Sequence, residues 1–426
     1  AAYGWGMRDT AVIVTSDGVG DDLSGTVNIF KEGNLQRIAA ISFKDSIARL
    51  YAFVTFYLGM VPLEHEYKLM GLAPYAETAQ GAHEMRDYFK TLFVLNNDGL
   101  TYTRAPGVKP IYELGPRLLQ DLRYKRFDHI AAGLQMFVEE FVTGWIRNIL
   151  TRTGIGRLGL SGGLFMNVKL NKKIMELDEV RRLFIFPSCG DETNVFGALY
   201  AYQHAQTGKT PQPLEHVYMG GDFSEEEIAK TLKQYPFTQK SLYEKFPDIE
   251  KKIAELLSRK NIVARFSGRM EFGARALGNR SILSHPGEWN AVKEINRMIK
   301  SRDFWMPFAP SCIECGQYVV NPKKVPAPYM ILTFDTKHEK KAFLAAAMHP
   351  YDETVRPQEV SERANPSYYR TLKEFRRLTG ESILLNTSLN LHGHPLVYTP
   401  EDALSVFDHS GLQYLAIGNY LVSKRR

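Results

Sequence analysis

The 426-residue chain holds only three cysteines, Cys189, Cys312 and Cys315. That is too few for a disulfide framework, and a lone CxxC makes a poor zinc site. Cys312 and Cys315 are therefore expected to be buried thiols beside a strand, in a reducing cytoplasm. No run approaches the roughly 18 unbroken apolar residues of a membrane span, and no signal-peptide pattern is found. Membrane partners are thus not expected. Blocks of Lys/Arg are missing too: the net charge of +6 is spread along the chain, which suits anionic small substrates better than nucleic acid. Neither an internal repeat nor a low-complexity tract occurs, so repeat architectures are set aside.

What remains is a globular composition, 44% hydrophobic and 23% charged, in a chain too long for one ordinary core. The segment "AQTGKTPQPLEHVYMGGDFS" (205–224) is the best linker, giving expected domains 1–212 and 213–426. Both read as α/β. Residues 11–60 alternate apolar runs with Gly/Asp/Asn turns. Ile130, Leu134, Phe137, Phe141, Trp145 and Ile149 recur at helical spacing. "IEKKIAELLSRKNIVARFSGR" reads as helix then strand, "ESILLNTSLN" and "YLAIGNYLVSK" as strands. "TPEDALSVFDH" opens a helix with Thr399 as N-cap and Pro400 at N1. The sequence begins "AAYGWGMRDT", without an initiator Met, and reads as a protein entered part-way along.

Four constellations carry candidate chemistry. In "TSDGVGDDLSGT", Asp17 ends an apolar run before a glycine turn, where a carboxylate meets a metal or phosphate; an Asp-Gly hairpin turn is the plainer alternative. In "PSCGDETNVFGALY", Asp191 stands near a helix start, either as an N-cap or as the partner of Asp17. Between them lies "LSGGLFMNVKLNKKI", where Gly162 and Gly163 separate a strand from a helix and let backbone N–H groups approach an anion. Third, "SGRMEFGARALGNRSILSHP" places Arg269, Arg275 and Arg280 among glycines with Glu271 as the single local carboxylate. Forked guanidiniums in that setting suit phosphate oxygens, with a solvated basic face as the alternative. Lys300, Arg302 and Arg356 add cations. Fourth, in "LLNTSLNLHGHP", Asn386 and Ser388 end a strand and offer neutral hydrogen bonds.

These motifs, with "HEYKLMGLAPY" and "RDFWMPFAPS", run in order along nearly the whole chain, which resembles the NodU/TobZ/CmcH-type O-carbamoyltransferase family. The resemblance implies an N-terminal actin-like ATPase-type domain and a C-terminal YrdC-like domain. It implies that the C-terminal domain makes carbamoyl-adenylate from carbamoyl phosphate and ATP, releasing pyrophosphate and phosphate. The N-terminal domain would then transfer the carbamoyl group to a hydroxyl-bearing acceptor, helped by a bound metal, typically iron, while Mg²⁺ accompanies ATP. Carried over by position, Asp17 and Asp191 match metal ligands. Gly162 and Gly163 match the adenylate loop, and Asn167 falls among the nucleotide-binding residues with them. Arg275, Lys300 and Arg356 match the catalytic cations of the second pocket, and Asn386 and Ser388 belong with its substrate contacts. Arg269, Arg280 and Arg302 are counted as further substrate-binding residues.

The sequence departs from the family at two places. The family's metal site also uses an HxxxH motif just before a segment like "AAYG", so both histidines are expected to fall outside this sequence. Many members carry Arg before "PFAP", where this chain has Met306; a missing guanidinium there implies weaker carbamoyl phosphate binding or another donor. Two rival readings stay open: an RNA-modifying carbamoyl or threonylcarbamoyl transferase, and a non-catalytic nucleotide-binding module. A homodimer is the default assembly.

Overall fold

Ala11–Gly20 forms strand β1, whose first four residues, Ala11 to Val14, are buried. The computed structural model describes residues 1–6, 9–300 and 303–424. Two units divide between Leu214 and Glu215. In the first, β1 turns through Asp21 and Asp22, both in the left-handed region, into β2 (Leu23–Lys31), and β2 continues into β3 (Asn34–Ser42). These three strands run antiparallel in sequence. β4 (Arg157–Ser161) and β5 (Arg182–Ile185) join parallel to β1, giving the order β3-β2-β1-β4-β5. This mixed sheet agrees with the actin-like ATPase-type domain that the motifs implied.

Helix α1 (Ile47–Tyr57) starts at Ser46, whose hydroxyl accepts from the Arg49 amide and donates to the Asp17 carbonyl. That cap satisfies an orphan N–H and also fixes the helix start against the end of β1. Helix α2 (Phe127–Thr153) shows the expected periodicity: Ile130, Leu134, Phe137, Trp145 and Ile149 are buried. Gly154 ends it in the left-handed conformation. Helix α3 (Val168–Glu176) follows β4 and packs on α2. Helix α4 (Asn194–Thr207) follows β5.

The second unit is built on an eight-stranded mixed sheet. Its strands are β6 (Ser241–Lys245), β7 (Val263–Phe266), β8 (Arg280–Ser284), β9 (Ala309–Cys312), β10 (Gln358–Glu359), β11 (Ile383–Ser388), β12 (Tyr414–Ile417) and β13 (Tyr420–Lys424). They lie in the order β10-β9-β11-β8-β7-β12-β13-β6. β11 is covered on both faces: Leu384 joins a core with Ile253, Leu257, Leu372 and Phe375, and Leu385 joins another with Leu404 and Phe407. Helices α5 (Ile249–Ser258) and α6 (Pro366–Thr379) supply the first core, and α7 (Pro400–Asp408) the second. Each such buried side chain contributes about 1.5–3 kcal/mol, which explains the unbroken "ILL" of a central strand. α7 has the predicted Thr399 cap, completed to a capping box by Asp402.

One expectation is corrected. Cys312 and Cys315 are joined as a disulfide and are not two thiols. A short turn after β9 brings their Cα atoms to 5.4 Å, within the range a disulfide spans. Cys189 remains a buried thiol, and burial pushes its pKa up.

Candidate functional site

In the first unit, parallel pairing of Thr15 with Ser161 makes Asp17 and Gly162-Gly163 leave the sheet side by side. Asp17 accepts from the Gly18 amide at 2.6 Å and from the Gly163 amide at 3.1 Å. Gly162 has φ +102°, and a Cβ there would sit 2.2 Å from the Ser16 carbonyl oxygen. Only glycine suits both the dihedral and the space. The loop then makes a single turn, and Asn167 caps α3 by accepting from the Leu170 amide.

Asn167 is more than a cap. Its amide and that of Gln135 exchange hydrogen bonds at 2.9 and 3.1 Å. Gln135 also donates to Glu139 at 2.7 Å and accepts from the Tyr51 hydroxyl at 3.0 Å. Burial raises the Glu139 carboxyl, against the opposing pull of the Gln135 hydrogen bond and of Lys173 and Lys169. Sequence reading missed Tyr51, Gln135 and Glu139. The available signal was Gln135, a polar residue buried on the apolar face of a long helix.

Asp17 and Asp191 stand in different settings. Both Asp17 oxygens already accept backbone N–H bonds, and Asp191 is exposed at the first position of a short turn, Asp191–Thr193. Among the described residues no three His, Cys, Asp or Glu side chains gather as ligands. Two carboxylates by themselves would leave most of a transition metal's coordination positions to other ligands.

In the second unit, the loop between β7 and β8 is clamped from several sides. The buried Glu271 carboxylate accepts from the amides of Leu277, Asn279 and Arg280 at 2.6, 3.2 and 3.3 Å. Asn386 donates to the Ala276 carbonyl at 3.1 Å and to Ser311 at 2.9 Å. Gln358 donates to the Leu277 carbonyl, as does Tyr218. Arg265 reaches the Gly278 carbonyl at 2.6 Å. Arg275, half-buried, stands in the middle of this fixed loop.

Ser388, two residues beyond Asn386 on β11, accepts from Lys300 at 2.9 Å. The buried Lys300 ammonium also donates to the carbonyl and side-chain oxygens of Asn390. The structure thus joins Lys300 to Ser388, and Asn386 to the neighbour of Arg275, through one strand. Arg356 is half-buried just before β10, two residues from Gln358. Arg302 lies outside the described residues. Asn390 and Gln358 were not singled out from sequence, although Asn390 sits in the "NTSLN" motif.

Arg269 and Arg280 both make contacts to the main chain. Arg269 donates to the carbonyls of Gly220 and Met219 at 3.0 and 2.7 Å. Arg280 is fully buried, lies 3.7 Å from the centre of the Phe266 ring, and donates to the carbonyls of Ser267, Gly268 and Asn279. Burial lowers its pKa to about 10. Backbone oxygens, invisible in composition, thus occupy part of each guanidinium, while Nε and Nη2 of Arg280 are buried without a hydrogen-bond partner among the described residues.

These features define a two-domain α/β protein with an aspartate–glycine loop in one unit and a buried lysine and a hydrogen-bonded arginine loop joined by one strand in the other. The profile described as Carbamoyltransferase N-terminus matches residues 7–200, and that described as Carbamoyltransferase C-terminus matches residues 254–424. An uncharacterized protein of Methanocaldococcus jannaschii is 33% identical, covering 97% of this chain and 70% of that protein. Nodulation protein NolNO of Sinorhizobium fredii is 31% identical over the whole chain, which spans 62% of its length. Nodulation protein NolO of Bradyrhizobium diazoefficiens is 29% identical over the whole chain and 77% of its own length. The chain belongs to the carbamoyltransferase family of the NodU/NolO type. Among the described residues no helix is long and apolar enough to cross a membrane.

Proposed function

We propose that this protein is an ATP-dependent O-carbamoyltransferase. In this reading, residues 215–426 make carbamoyl-adenylate and residues 1–214 transfer the carbamoyl group to a hydroxyl. Water first releases phosphate from carbamoyl phosphate; the resulting carbamate attacks the α-phosphorus of ATP, and pyrophosphate leaves. The acceptor oxygen then attacks the carbamoyl carbon, AMP departs, and the hydroxyl proton passes to solvent. The reading assigns Lys300, Arg275 and Arg356 to neutralising phosphate oxygens during the first step. ATP enters with Mg²⁺, and no step is routed through a resident metal. The acceptor class is a small molecule or sugar.

The observation that supports this best is the setting of Lys300 and of the Arg275 loop in the second unit. A buried ammonium donates to neutral oxygens of Ser388 and Asn390, one strand away from a loop held by hydrogen bonds around Arg275. Fixed cations beside a rigid backbone are suited to a developing phosphate charge. The test mixes protein, ATP, Mg²⁺ and carbamoyl phosphate without acceptor and follows pyrophosphate. Release that depends on carbamoyl phosphate is expected, and Arg275→Ala should abolish it. Release without carbamoyl phosphate, or an unchanged Arg275→Ala rate, overturns the assignment.

A further inference from the structure

Beside the Asp17–Gly163 contact stands a cation that none of the motifs singled out. Arg49 is the third residue of α1, half-buried, and α1 begins where Ser46 is tied to the Asp17 carbonyl. Its guanidinium lies along Gly18: a Cβ at Gly18 would be 3.2 Å from Nη2, 3.6 Å from Cζ and 3.7 Å from Nε. Glycine at position 18 is thus what lets the guanidinium approach the turn. On another side, Cζ is 5.5 Å from the centre of the Tyr112 ring, and Tyr112 in turn packs on Phe43 and Phe53.

Among the described residues this cation has no ion-pair partner. Its Nε is buried and has no hydrogen-bond partner among the described residues. The two carboxylates nearest along the adjoining segments are already engaged. Asp17 accepts the Gly18 and Gly163 amides, and Asp45 is paired with Arg104 at 2.6 Å. A guanidinium held between an aromatic ring and a glycine, without a carboxylate, leaves its fork for an incoming anion. The glycine turn 18–20 and the Gly162-Gly163 loop border the same end of the sheet.

We infer that Arg49 binds the phosphoryl oxygens of an adenylate seated on the Gly162-Gly163 loop. The inference rests on the proposed reading of that loop as the adenylate site. Arg49 is a binding and positioning residue here: it holds the leaving phosphoryl group, and Asp17 holds the loop's backbone.

The test titrates the full chain with AMP and, separately, with adenosine, by calorimetry. Bound nucleotide is located by crosslinking 8-azido-AMP and mapping the labelled peptide. Wild type is expected to label a peptide containing Gly162-Gly163. Arg49→Ala is expected to bind AMP about 10- to 100-fold more weakly, the size of one charge-assisted contact, with adenosine affinity unchanged. Arg49→Lys, which keeps the charge, should recover part of the AMP affinity. Equal AMP affinity in wild type and Arg49→Ala overturns the role of Arg49 and leaves the loop reading intact. Equal loss of AMP and adenosine overturns it too, since that marks a structural role. Label found only in peptides of residues 215–426, or no binding to wild type, overturns the loop reading itself.

Discussion

Asp17 Oδ2 accepts a hydrogen bond from the Gly163 amide at 3.1 Å, across 146 residues of chain. Two motifs that look like separate turns in the sequence therefore make one structure. The parallel register of β1 and β4 brings them together.

The two glycines of that loop respond differently to substitution. Gly162→Ala must force an L side chain to φ +102° and against the Ser16 carbonyl, at a cost of about 1–3 kcal/mol from backbone strain alone. Gly163→Ala meets a movable Asp17 side-chain oxygen at 3.2 Å and should cost less. Denaturant unfolding of both variants tests the order; equal losses would refute it.

Glu271 holds three backbone amides of the Arg275 loop with one oxygen. Glu271→Ala leaves those buried donors unpaired and should destabilise the chain by about 2–3 kcal/mol. Carbamoyl-phosphate-dependent pyrophosphate release should fall in parallel. A variant with full activity and wild-type stability would show that the loop does not depend on this carboxylate.

Lys300→Met keeps the apolar stem and removes the ammonium. A drop of about 100-fold or more in pyrophosphate release is expected, the scale of losing one preorganised charge. Lys300→Arg should not restore the rate, because a planar fork does not fit a point surrounded by Ser388 and Asn390 oxygens. Ser388→Ala should give a smaller loss. Wild-type rates in Lys300→Met would remove this residue from the chemistry.

Acid stability has a local source at the end of α7. Burial alone would raise the Asp408 carboxyl, but hydrogen bonds from Thr238 and Gln239 bring it below its ordinary value. A folded pKa below the unfolded one gives stability that is complete above about pH 4 and lost as pH falls through the folded value. Asp408→Asn should therefore cost about 1–2 kcal/mol at pH 7, and the gap to wild type should close only below about pH 4. Urea midpoints of both proteins across that range decide it; a gap independent of pH would contradict the account.

Much of the fold was legible because local rules and tertiary demands agree. The stripe from Ile130 to Ile149, the "ILL" of β11 and the Thr399-Pro400 cap each carry their own signal. The Arg-rich segment was the hard case. Three guanidiniums among glycines read as phosphate ligands, since one carboxylate cannot neutralise three cations. In the structure Arg269 and Arg280 grip backbone carbonyls, while Glu271 grips backbone amides. Main-chain partners leave no mark on composition. The Cys312–Cys315 pairing was misread for a related reason: the turn that brings the two residues together is a matter of geometry, not of spacing alone.

Residue order by itself determined the family, the two α/β halves and the positions of the motifs, because glycine turns, strand runs and helix caps act over a few neighbours. Tertiary structure decided what surrounds each cation. It placed Arg280 in the core, tied Lys300 to Ser388, and set Arg49 beside Gly18. The physical reason is that a charged side chain's role depends on whichever dipoles lie within about 3 Å of it. Those dipoles are brought there by strand register and packing, from residues far away in the chain.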